Sequence, residues 1–229
     1  MSLGTTQLQA TNNKELKMKK VMTKMKSSEL IEKYLKQEEN FHGFDDIVNI
    51  SSALSRELYI GEIASDMADA INMLIRFWNR LDDEEDIPVE EREPIKMYID
   101  SPGGELVASF TIINSIELSK TPVWTINVGS AYSGGFFIFI TGHKRFAYPL
   151  SSFLYHEGST IVFGDAHKFR NHADFYKKQM DQLKAHTLKY TKLTEEDYEK
   201  ILKDDYWLTA EEAVEVGIVD EIMSIQGEL

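Results

Sequence analysis

From Arg56 onward, short apolar runs of β character alternate with amphipathic helical stretches at the spacing of βαβ units. Arg56–Gly61 reads as a short strand ended by glycine. Asp66–Arg80 reads as a helix, with Met67, Ile71, Leu74, Ile75 and Trp78 on one face. Ile95–Ile99, Val123–Val128, Arg145–Tyr148 and Phe153–Tyr155 read as further strands. Glu105–Leu118 and 134–141 read as the helices between them. This order predicts an α/β domain around a largely parallel sheet. Reactive groups in such sheets gather in the loops beyond the strand ends. Residues 82–93, opened by Asp82-Asp83-Glu84-Glu85-Asp86, read as a solvated acidic loop. Toward the C-terminus, Thr209 is a predicted N-cap, Gly217 ends that helix, and Ile218–Ile222 forms a closing strand.

Asp165–Tyr190 predicts a helix of unusual length. Phe169, Ala173, Tyr176, Met180, Leu183, Thr187 and Tyr190 recur at steps of four and three, the spacing of a coiled-coil seam. Such a helix is expected to project from the domain and pack on a partner helix. Ahead of the domain, residues 1–46 form a basic arm. Residues 1–13 are polar and expected to be disordered, 14–38 are helix-prone with a stripe at Leu30, Ile31, Tyr34 and Leu35, and 39–46 read as a linker. The main domain is expected at 47–229.

Charge divides the chain in the same way. Residues 1–36 carry eight lysines and three glutamates, and the rest brings the net charge to −13. That balance argues against nucleic acid as the main partner. The sequence has no cysteine, so disulfides, thiolate metal sites and cysteine nucleophiles are excluded. Runs such as Phe136–Ile140 are too short to span a bilayer, and no secretory signal pattern opens the chain. The expectation is a cytoplasmic protein with no membrane partner, no cofactor and no metal.

One turn carries a chemical signal. Gly129-Ser130-Ala131-Tyr132-Ser133-Gly134-Gly135 joins a strand to an apolar helix. A hydroxyl among small residues at such a junction is how folds expose a nucleophile. The same pattern also arises from tight helix-on-sheet packing. His156 and Asp205, taken singly, read equally well as a satisfied core histidine and a solvent-facing carboxylate.

Together the segments resemble the proteolytic subunit of the Clp protease (ClpP), from about Ser51 to Met223. Ser101-Pro102-Gly103-Gly104 is similar to the family's glycine loop, and Gly129–Gly135 to its nucleophile turn. Leu154-Tyr155-His156 and Asp204-Asp205-Tyr206-Trp207-Leu208-Thr209-Ala210 are similar to the segments holding its histidine and aspartate. The resemblance implies the ClpP/crotonase-like fold, with a protruding long handle helix and a helical N-terminal arm. It implies a catalytic set of Ser133, His156 and Asp205, with backbone N–H groups of Gly104 and Gly134 as the oxyanion hole. It further implies heptameric rings stacked in pairs, an AAA+ unfoldase as partner, and unfolded proteins or peptides as substrates. The seam helix would make the ring-to-ring contact. A non-catalytic ring subunit and a phage-type capsid maturation protease are the alternatives. Crotonase-type acyl-CoA chemistry needs no such triad, and a Ser-Lys peptidase has no need of His156. The chain departs from the family at Gly134, where a bulkier residue is usual, at Glu157-Gly158 in place of Gln-Pro, and at Asp204 in place of arginine.

Overall fold

The computed structural model describes residues 55–156, 158, 165–201 and 204–224. The expected arm at 1–46, its helix at 14–38 and its linker lie outside the described residues, as does Glu157.

Seven strands form one sheet: β1 (Glu57–Ile60), β2 (Ile95–Ser101), β3 (Val123–Tyr132), β4 (Lys144–Ala147), β5 (Ser152–Tyr155), β6 (Tyr206–Thr209) and β7 (Glu221–Ile222). Six α-helices accompany them among the described residues: α1 (Ser65–Glu84), α2 (Leu106–Glu117), α3 (Gly134–Ile140), α4 (Ala166–Tyr190), α5 (Glu195–Ile201) and α6 (Ala210–Glu215). The path β1-β2-β3-β4-β7 is parallel throughout, as the alternation requires. β3 forks. Its first half pairs with β4 and its second half with β5, and β5 continues antiparallel to β6.

Side chains alternate across this sheet. Leu58, Ile60, Ile95, Met97, Ile99 and Val123 point to one face and are buried. The opposite face carries Tyr59 stacked on Tyr98, and Trp124 against Phe146, all partly or fully accessible. The core closes around α3, where all seven residues are buried, together with Ile112, Ile116, Phe153 and the inner faces of α1 and α2. α6 starts at the expected N-cap Thr209, which forms a capping box with Glu212.

Several boundaries differ from the sequence reading. β3 runs on through Gly129 to Tyr132, and the closing strand is only Glu221–Ile222. β6 was not expected at all. The acidic stretch is not a free loop at its start, because α1 continues to Glu84. Asp82 is fully buried, accepting from both terminal nitrogens of Arg56 (2.9 and 2.5 Å) and from Thr121 Oγ1 (2.6 Å). Asp83 pairs with Arg92 at 2.6 Å and Lys120 at 3.0 Å. These two carboxylates lock the start of β1 and the turn before β3 onto α1.

α4 splits its seam. Its first ten residues are exposed, Phe169 and Phe175 among them. Leu183 and Thr187 are buried, and Met180, Leu188 and Tyr190 pack on the domain's own core. Half of the expected partner seam is therefore occupied within the chain. Asp165 caps this helix, accepting from the N–H groups of His167 and Lys168, both at 3.0 Å.

Candidate active site

β3 ends at Tyr132 and the chain turns at Ser133, with φ 51° and ψ −118°. That is the first central position of a type II′ turn, which glycine ordinarily fills. A non-glycine residue held there costs about 1–3 kcal/mol. Three contacts keep it in place. The Ser133 N–H donates to the Leu154 carbonyl of β5 at 2.9 Å, and its own carbonyl accepts from Phe136 N–H at 3.0 Å. Gly103 lies so close that a Cβ there would stand 2.7 Å from the Ser133 Cβ.

The loop after β2 is pinned by a single bridge to Ile63. The Ile63 N–H donates to the Gly103 carbonyl, and the Glu105 N–H donates to the Ile63 carbonyl, each at 2.9 Å. The N–H of Gly104 takes no part in that pair. Gly104 has φ 152°, and a Cβ on it would stand 2.1 Å from the Ile63 carbonyl oxygen, so only glycine holds this loop.

Gly134 needs a different explanation from the one its position suggests. A Cβ there would point inward, 2.5 Å from Ser109 Oγ and 3.1 Å from Ile63 Cδ1. The missing side chain therefore makes room for Ser109 of α2, whose hydroxyl donates to the Glu105 carbonyl at 3.0 Å. Gly134→Ala should lower the melting temperature and activity. Gly134→Ala combined with Ser109→Ala should recover part of both, because the 2.5 Å clash is then gone and the closest remaining neighbour is the movable tip of Ile63 at 3.1 Å. Melting curves and peptide hydrolysis of the two variants check this.

His156 follows β5 and Asp205 precedes β6. The β5–β6 register pairs Tyr155 with Tyr206, so the next facing pair is His156 and Asp205. Their side chains face each other with Nδ1 of His156 4.0 Å from Oδ1 of Asp205, and they are 36% and 58% exposed. This separation is longer than a hydrogen bond, and it sits within the range that substrate binding tightens. Ser133, His156, Gly104 and Gly134 all line one cleft of about 270 Å³, and Asp205 stands behind the imidazole. The cleft's apolar wall is Phe137, Tyr176, Met180 and Leu183. The last three come from α4, and sequence reasoning missed this role. Their spacing marked them as apolar but did not say whether they faced a partner or the site. The Tyr176 hydroxyl also donates to the Gly158 carbonyl, tying α4 to the segment after His156.

Among the described residues, no group of three or more His, Cys, Asp or Glu is arranged to hold a metal. No helix among them is long and apolar enough to cross a membrane.

A family model described as Clp protease matches residues 45–226. The chain is 32% identical over 174 residues to ATP-dependent Clp protease proteolytic subunit 2 of Treponema pallidum (strain Nichols). That match covers 75% of this chain and 83% of the relative. It is 36% identical over 139 residues to the subunit of the same name from Treponema denticola, covering 57% of this chain and 66% of that one. It is 34% identical over 133 residues to the ATP-dependent Clp protease proteolytic subunit of Deinococcus radiodurans, covering 57% and 65%. The chain belongs to the Clp protease family, as a peptidase of the proteolytic-subunit type.

Proposed function

We propose that this chain is a serine endopeptidase that cleaves unfolded proteins or peptides through an acyl-enzyme. The observation that carries the reading is the turn at Ser133: a serine in a glycine-type conformation, in one cleft with His156 and the two glycines. Ser133 Oγ attacks the scissile carbonyl carbon, and its proton passes to the His156 imidazole. The N–H groups of Gly104 and Gly134 stabilise the oxyanion. The C–N bond breaks as His156 returns the proton to the leaving amine. Water then attacks the ester with the same histidine as base, freeing Ser133. Asp205 orients the imidazole and stabilises its charged form.

On this reading the domain at 47–229 assembles into heptameric rings, stacked in pairs around a chamber. The exposed first half of α4 supports a contact between rings. An AAA+ unfoldase would feed the chamber, and the basic arm at 1–46 would engage a partner of its own. A cytoplasmic site of action fits the cysteine-free composition. The 4.0 Å gap between His156 and Asp205 is a feature that fits a non-catalytic ring subunit instead.

A fluorophosphonate probe separates the two. It should modify wild-type protein at Ser133, as mapped by peptide mass spectrometry, and Ser133→Ala should lose both modification and peptide hydrolysis. Hydrolysis persisting in the alanine variant rejects Ser133 as nucleophile, and an unreactive wild type favours the non-catalytic subunit.

A further inference from the structure

Tyr155 touches elements that adjoin the three candidate residues. It directly precedes His156 on β5. Its ring meets Phe136 and Phe137 edge-on, at 5.7 and 5.6 Å, on the helix that Ser133 caps. Its hydroxyl bonds the hydroxyl of Tyr198, and the two rings pack at 5.4 Å. Tyr198 belongs to α5, which ends at Ile201, four residues before Asp205. Both tyrosines are buried, at 3% and 2% exposure. Tyr198 is itself held under Lys184, whose ammonium lies 5.4 Å from the ring and pairs with Glu195 and Glu199 of α5 at 2.7 Å each.

We propose that the Tyr155–Tyr198 hydroxyl pair positions His156 for catalysis, by fixing the distance between the strand end bearing His156 and the helix leading to Asp205. This rests on the reading of Ser133 as the nucleophile. Neither tyrosine faces the cleft, so neither touches substrate. Between them, a hydrogen bond joining two buried hydroxyls has a sharply preferred length and direction, which ring packing alone lacks. Small displacements of a base from its productive geometry are costly in rate. The pair therefore acts on turnover rather than on substrate binding.

Stability and turnover should respond differently to its removal. Tyr155→Phe or Tyr198→Phe deletes one hydroxyl and strips the other buried hydroxyl of this bond. Deleting both removes the two halves of this bond together, so neither hydroxyl is left facing a missing partner across it. Each single variant should melt at lower temperature, and the double variant should regain much of that loss. If the pair positions His156, kcat falls about tenfold in all three variants at unchanged KM. The double variant should be no slower than either single.

The test measures kcat, KM, melting temperature and fluorophosphonate rate at Ser133, with sedimentation to verify the same particle in each variant. Recovery of kcat together with melting temperature in the double variant overturns the proposal, because the pair is then only part of the core. An unchanged kcat in all three overturns it as well. Each of those results leaves the Ser133 reading standing. A wild type whose Ser133 does not react overturns both.

Discussion

Asp82→Ala is expected to destabilise the domain by about 3–5 kcal/mol, the usual cost of leaving one partner of a buried ion pair unmatched. Asp82 is fully buried, and the Arg56 side chain opposite it is only 14% exposed. Removing the carboxylate takes from that guanidinium its short buried partner, leaving only Glu93 among the described residues, and takes an acceptor from Thr121 Oγ1. The loss spreads, because Arg56 also donates to the Glu93 carbonyl at 3.0 Å and its own carbonyl accepts from Lys96 N–H at 2.8 Å. Those bonds set the β1–β2 register. Burial alone would push the Asp82 carboxyl up, but the Arg56 and Thr121 hydrogen bonds outweigh it and hold it below the ordinary carboxylate range. Its contribution is thus complete above the ordinary aspartate value of about 4 and disappears as pH falls through the lowered native value. Denaturant titrations at neutral pH should give the full difference. The variant should also lose part of the wild type's acid-side slope. A change under about 1 kcal/mol at neutral pH would mean that the Arg56–Asp82 contact is not a buried anchor.

On the proposed mechanism, in which the Gly104 N–H is an oxyanion donor, Gly104→Ala should cut peptidase activity by about a hundredfold or more, the scale on which losing one such donor is felt. The methyl group would lie 2.1 Å from a backbone oxygen, which cannot yield as a side-chain tip can. Either the bridge to Ile63 opens or the loop rotates, and each moves the Gly104 N–H away from Ser133. Helices α1 and α2 flank this loop with their own buried faces, so circular dichroism should stay close to wild type. Gly61→Ala is the control. A Cβ there meets nothing within 4 Å, and its activity should be unchanged. Equal activity in the Gly104 and Gly61 variants would remove the loop from the mechanism.

The alternation of strand and helix, the apolar helix α3 and the N-cap at Thr209 were all readable from residue type and period. The pairing of His156 with Asp205 was readable only through family resemblance. Locally, Asp204–Leu208 has two acidic residues and two aromatics without clear alternation, so β6 left no periodic trace. Its strand character comes from pairing with β5, a contact across more than fifty residues of chain. The acidic run misled for a related reason. Charge density suggests solvent, and only the fold reveals that Arg56 and Thr121 converge on one of those carboxylates. Gly134 shows a third limit. Its neighbour Ser109 sits 25 positions away, and no pattern in either segment announces the contact.

The backbone angles at Ser133 set two kinds of selection against each other. A glycine would relax that turn, while on the proposed mechanism only the hydroxyl gives the cleft a nucleophile. Libraries ranked by heat resistance alone should therefore drift toward glycine at this residue and yield hardier, inert protein. Libraries ranked by turnover should keep the serine and accept the penalty.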